Sequence, residues 1–232
     1  MPLPVLEHPT FELIVPSSKN AVRYRPFLVK EEKILLIAQE SGEEAEIINA
    51  IKQIINNCLI EGEFVIESAP TFDIEYFFMK LRASSVSDVI SLTVTDEDDG
   101  SEHDVEIDLK EVEVVFPEEE HSKLIEVNET VGMELRYPTF EDLANTGSLE
   151  SLVDSIDLVV GCISKIYSGE EVFDTIDYTK EEMSDFVDNL PADTFEKMQG
   201  FFTNMPKLSH EVKYKVGKKT KKQSIEGLAN FL

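Results

Sequence analysis

The chain has 232 residues, a formal net charge of -26, 42% hydrophobic and 9% aromatic residues. That is long enough to bury a core as one large domain or two small ones, and too apolar for a disordered chain. Bulk acidity favours solubility and disfavours phosphate backbones and anionic membranes.

The opening MPLPVLEHPTFELIV has no basic n-region and no apolar h-region, so no signal peptide is expected. The longest purely apolar run, Ile34 to Ala38, is too short to span a bilayer. The two cysteines, Cys58 and Cys162, lie in apolar helical patterns and are expected to be buried thiols in a reducing compartment.

Residues 11–15 and 22–27 read as two strands joined by the turn PSSKN. In the second, Val22 and Tyr24 face one way and Arg23 and Arg25 the other. Pro26 then blocks a central strand, and the period switches to a helix over 30–40 built on Ile34–Ala38 and stopped by Gly42. A second helix is expected over 43–59, with Ile47, Ile48, Ile51, Ile54, Ile55 and Cys58 on its inner face and Gly62 after it. A third covers 71–83, with Thr71 as N-cap. Phe72, Ile74, Phe77, Phe78 and Leu81 surround more than one face of it, which predicts a central position. Asp73 sits in its first turn, where the helix dipole favours negative charge, and reads as a cap or as a local ion pair with Arg82.

From Val86 to about Tyr137 the pattern becomes β. One strand carries Ile90, Leu92 and Val94, the next alternates Val105, Ile107 and Leu109 with charged residues, and DEDDGSE (96–102) turns between them. Further strands are expected at 123–127 and 131–137. A helical block then starts at Thr139, where Leu149, Leu152, Val153, Ile156, Val159, Val160, Ile163 and Ile166 share one helical period. Thr179 with Glu182 has capping-box spacing, and 193–203 is one more helix, stopped by Pro206. The end reads as a Lys-rich hairpin turning near Gly217, then a short helix from Ile225. No internal repeat is evident in the sequence.

The expected fold is α+β: a helical body with an N-terminal β-hairpin, a small antiparallel β insertion and a C-terminal β-hairpin. Its segments are 1–85, 86–137, 138–206 and 207–232, forming one compact unit.

Catalytic chemistry finds no constellation here. His8, His103, His121 and His210 are scattered, with no i, i+4 pair. There is no Gly-x-Ser-x-Gly elbow and no phosphate-binding glycine loop. In the acidic turn, a calcium loop would need Asp where Thr95 stands, and Glu106 lies in a strand; a solvated hairpin tip fits better. Residues 207–222 hold seven lysines against one acid, but with only Tyr214 for stacking and no arginine. Such a strip suits an acidic protein surface better than a nucleic acid. No enzyme, cofactor, metal, nucleic acid or membrane is therefore expected. The basic junction Arg23, Arg25, Pro26, Phe27, Lys30 and Lys33, with Asp73 and Arg82 nearby, is the candidate protein-interaction site. Its alternative role is an internal ion-pair network to Glu31, Glu32 or Asp73.

The segments FELIVPSSKNAVRYRPFLVKEEKILLIAQES, IINNC, FDIEYFFMKLRASSV, VEIDLKEVEV, FFTNMPKLSHEV and IEGLANFL together resemble the baseplate hub protein family of T-even-like contractile-tailed bacteriophages. That resemblance implies a non-enzymatic protein of hub assembly, a resident subunit or an assembly chaperone, with other hub or tail proteins as partners and homo-oligomerisation open. It also implies the host cytoplasm during assembly, or the virion tail baseplate. Many members carry Cys-x-x-Cys pairs near the two hairpins. Here those places read TDEDDGSEHD and KYKVGKKTKK, so a zinc site is not carried over. The acidic and Lys-rich hairpins are expected instead to pair with each other. A rival reading, motivated by the charge, is an acidic inhibitor or DNA mimic of a host nucleic-acid-binding protein.

Overall fold

The computed structural model describes residues 6–117, 122–142 and 156–231, apart from Glu97 and Lys218. The fold is α+β, built on small antiparallel sheets. It divides into two compact units, Met1–Val115 with Lys207–Leu232, and Phe116–Pro206.

The first unit opens with strands β1 (Phe11–Ile14) and β2 (Ala21–Tyr24), helices α1 (Val29–Ser41) and α2 (Glu44–Cys58), and strand β3 (Leu59–Glu61), which completes an antiparallel sheet in the order β1-β2-β3. On α2 the threefold and fourfold spacing puts Ile48, Ile51, Ile54, Ile55 and Cys58 inside. Helix α3 (Thr71–Ser85) is the centre of this unit, and Phe72, Ile74, Phe77, Phe78, Met79 and Leu81 are all buried. Its N-cap is Pro70, not Thr71, which is already helical and buried. Proline suits an entry where the helical φ is preset.

Strands β4 (Val89–Thr95) and β5 (Glu102–Asp108) form the expected hairpin. The strand β6 (Glu113–Val115), which the sequence did not announce, pairs with β11 (Lys207–Val216), and β11 pairs with β12 (Lys219–Glu226) around Gly217, whose φ is 61°. The helix expected from Ile225 is not there. Ile225 still pairs with His210, Gly227 turns the chain with φ 73°, and only a 3-10 turn, Leu228–Phe231, follows. Phe231 is fully buried, and Arg82 Nη1 donates to its carbonyl at 2.6 Å.

The second unit holds β7 (Leu124–Glu126), β8 (Val131–Leu135), α4 (Ile156–Gly161), β9 (Ile163–Ser168), β10 (Glu171–Asp174), α5 (Lys180–Asp188) and α6 (Ala192–Thr203), with the sheet order β10-β9-β8-β7. The helix expected to run through Ile166 ends at Gly161, and Ile163 and Ile166 lie in a strand. Helical spacing was satisfied by chance; β-branched residues beyond a glycine, with Gly169 at φ 62° opening the β9–β10 turn, favour extended chain. Leu149, Leu152 and Val153 lie outside the described residues. The core gathers Met133, Leu135, Val159, Cys162, Met198, Phe201 and Phe202. The expected capping box opens α5: Glu182 N donates to Thr179 Oγ1 at 3.2 Å, and Thr179 N to Glu182 Oε2 at 2.8 Å.

One hydrogen-bond arrangement, not evident from the sequence, recurs in the two units. At the end of β2, Arg25 N donates to Cys58 O at 3.0 Å; at the end of β8, Arg136 N donates to Cys162 O at 2.8 Å. Arg25 Nη2 binds Glu31 Oε1 at 3.0 Å and Asn57 O at 2.9 Å, while Arg136 Nη2 binds Asp142 Oδ1 at 2.9 Å and Gly161 O at 2.6 Å. Each carboxylate accepts the N–H three residues before it, from Leu28 at 2.9 Å and Thr139 at 2.7 Å. The pairings β2–β3 and β8–β9 even share a register shift, at Arg23/Tyr24 and at Glu134/Leu135. Strand, arginine, carboxylate-capped helix start, helix end, cysteine and strand thus recur in both units. Sequence inspection misses the recurrence because only the bracket residues persist while the apolar residues around them change.

Candidate protein interface

The sequence placed eight residues in one candidate site, and the structure separates them by role. Arg25 and Glu31 are turned inward, with side chains 16% and 0% exposed. The guanidinium ties the end of β2 to the start of α1 and the last turn of α2. Burial works against the Glu31 carboxylate, but the Arg25 guanidinium and the Leu28 N–H prevail and hold its pKa below the usual value. Beside this bracket the Cys58 thiol is pushed up to about 11 by burial, and Cys162 to about 12, so both stay protonated and free. Phe27 is buried, and its N–H donates to Ser85 Oγ at 2.9 Å. Pro26 is half-buried.

Asp73 and Arg82 are not brought together. Nine residues along a helix is two and a half turns, which puts them on opposite sides of α3. The Asp73 carboxylate accepts the Ser17 N–H at 3.0 Å and the Ser17 hydroxyl, pinning the β1–β2 turn to α3, while Arg82 holds the chain end. Burial raises the Asp73 pKa against those bonds.

What remains facing water is Arg23, Lys33 and Lys30, whose exposed ammonium also reaches Glu31 Oε1 at 3.3 Å. Arg23 is half exposed and lies across from Glu61 at 2.9 Å on β3. Lys30 and Lys33 stand on the outer face of α1, and with them stand three apolar residues the sequence had assigned to the interior or to no role: Val29 at 65% exposure, Leu36 at 53% and Ile37 at 66%. Positions 29, 33, 36 and 37 share one side of a helix, opposite the buried Glu31 and Ala38. The missed signal was the run itself, since five consecutive apolar residues surround a helix and cannot all point to one core. The chemistry available to this face is association: apolar area to bury, with two ammonium groups to set orientation.

Residues 8–232 match the family described as T4 bacteriophage base plate protein. The chain belongs to that family. No curated protein and no solved structure matches it. Membership makes it a phage baseplate protein, fits a place in the virion tail and implies contacts with other tail proteins. It lends no support to the acidic-inhibitor reading. No described helix of the base plate protein is long and apolar enough to cross a membrane, and no three described His, Cys, Asp or Glu residues are grouped to hold a metal ion.

The two oppositely charged hairpins of the base plate protein do meet. Lys221 Nζ lies 2.6 Å from Asp96 Oδ1 and 2.7 Å from Asp98 Oδ2, and the Tyr214 hydroxyl donates to Asp96 Oδ2 at 3.0 Å. His103 stacks on Tyr214. Of the lysines in that hairpin, Lys222 pairs instead with Glu211, and Lys218 lies outside the described residues. The acidic turn spends its other carboxylate bonds on itself: Asp96 accepts the N–H groups of Asp98 and Asp99, and Asp99 that of Ser101. Its carboxylates therefore shape a turn, and Lys221 locks it to the C-terminal hairpin.

Proposed function

We propose that this base plate protein acts in assembly of the baseplate hub, without catalysis, by docking the outer face of α1 against another hub or tail protein. The observation that carries this is the exposure of Val29, Leu36 and Ile37 beside Lys30 and Lys33 on a molecule of net charge -26. The matching surface is an apolar patch rimmed with carboxylates, because two ammonium groups beside buried apolar area fix register on such a partner. Arg25, Phe27, Asp73 and Arg82 support the interface by holding its scaffold and do not touch the partner.

Mass spectrometry of purified particles separates the two forms this role can take. A fixed copy number per particle makes the chain a resident hub subunit. Absence from the particle, with capture of other tail proteins from infected cells, makes it an assembly chaperone that leaves. Absence from both contradicts the proposal.

A further inference from the structure

The β4–β5 hairpin carries a second docking feature, which does not depend on the role given to α1. Strand β4, VISLTVT, is seven residues long, pairs among the described residues with β5 alone and contains no charge and no proline. Edge strands are usually blunted by charge or brevity, and the other described edges obey this. Strands β1 and β10 have four residues, β3, β6 and β7 have three, β12 carries Lys219, Lys221 and Lys222, and β5 carries Glu102, Asp104, Glu106 and Asp108.

The ladder fixes which groups of β4 are open. Asp96 N donates to Ser101 O, and Leu109 N to Asp88 O. Even-numbered residues therefore exchange hydrogen bonds with β5, and odd-numbered ones point their N–H and C=O groups away. The Ser87 hydroxyl satisfies both groups of Val89. The backbones of Ser91, Thr93 and Thr95 have no partner among the described residues. On the solvent face these three small side chains lie beside Glu106, Asp104 and Glu102 of β5.

We propose that the β4 edge accepts an extended segment of a partner protein in which apolar residues alternate with arginine or lysine. Its backbone would complete the bonds of Ser91, Thr93 and Thr95. Its apolar side chains would extend the row of Ile90, Leu92 and Val94, while its basic side chains lie across the small residues toward the carboxylate row, two strand spacings or about 10 Å away. Charge complementarity selects this occupant over a second copy, because β4 carries no cation and two chains of net charge -26 repel.

The test is amide hydrogen exchange by NMR on the full chain, with a synthetic seven-residue peptide alternating valine with arginine. At saturation the Ser91, Thr93 and Thr95 amides slow by about tenfold or more, Ile90, Leu92 and Val94 change little, and a valine–glutamate peptide has no effect. Thr93→Pro removes one outward N–H and leaves the backbone ladder to β5 in place, losing there only the Thr93 hydroxyl bond to Asp104 Oδ1, and abolishes binding, whereas Thr93→Val, which loses that same hydroxyl, keeps it. Asp104→Asn with Glu106→Gln weakens the arginine peptide by about tenfold. The proposal fails if the arginine peptide protects none of the three amides, if the glutamate peptide protects them equally, or if the carboxylate variant binds unchanged. It also fails if these amides are already protected in a free protein with the mass of two chains, which would assign the edge to self-association.

Discussion

Arg25 illustrates how far a single residue can be read from sequence. The alternation of Val22, Arg23, Tyr24 and Arg25 before Pro26 predicts a strand end with a solvent-facing cation, and the backbone obeys. The side chain instead turns onto Glu31, six residues on, because a buried carboxylate capping α1 needs a counter-charge and the neighbouring carbonyls of Asn57 and Pro26 occupy the remaining N–H groups. The same six-residue spacing links Arg136 to Asp142, so this arrangement is a device of the fold and not a property of one junction. Arg25→Ala is therefore expected to destabilise by about 3 kcal/mol in urea unfolding, since it leaves the buried Glu31 carboxylate with the largely exposed Lys30 ammonium as its counter-charge, and Arg25→Met with Glu31→Leu recovers most of that loss. Asp96 adds a pH dependence. The Lys221 ammonium, with the Tyr214 hydroxyl and two N–H groups, outweighs burial and holds its pKa at about 2. A carboxylate whose folded pKa lies below its unfolded value contributes stability above about pH 4 and loses it as pH falls toward 2. Asp96→Asn should accordingly lower the melting temperature at pH 7, and its gap from the parent chain should narrow between pH 4 and pH 2; a constant gap would show that the charge of Asp96 is not what matters.

Helices α2 and α6 lie within a residue of where their spacing puts them, because one apolar face settles their type, and α5 starts at its expected capping box. Short β elements are less legible. Strands β3, β6, β9 and β10 were missed because three to six residues carry too little alternation, and pairing with a neighbouring strand is what stabilises them. Gly62 shows the difference. It reads as a helix stop, yet it follows β3, with φ 104°, and a Cβ there would lie 2.7 Å from Ala21 O and 2.9 Å from Val22 Cα. Gly62→Ala should cost roughly 1–3 kcal/mol and loosen the β2–β3 pairing, visible as faster amide exchange at Arg23. The outer face of α1 makes the opposite prediction: Leu36→Glu with Ile37→Lys touches no core and should shift stability by less than about 1 kcal/mol while removing partner binding.

At the scale of the molecule, composition and residue spacing foretold an acidic α+β chain, and the family resemblance pointed to a baseplate. The acidic and Lys-rich hairpins also meet as their charges suggested, through Lys221, Asp96 and Asp98. The division into two units, each holding one such bracket, was not legible, because the recurrence survives in a few bracket residues and their hydrogen bonds and not in the apolar pattern around them. The basic junction was located in sequence, but its internal arginine and its external lysines could be told apart only once the fold placed them. The central proposal is best tested by quantitative affinity capture of the tagged chain from infected cells, comparing the parent with Leu36→Glu/Ile37→Lys. Identified phage tail proteins should come down with the parent and fall by about tenfold or more with the variant, whose own level stays the same. Equal capture by both chains, or no tail protein with the parent, would contradict the α1 interface.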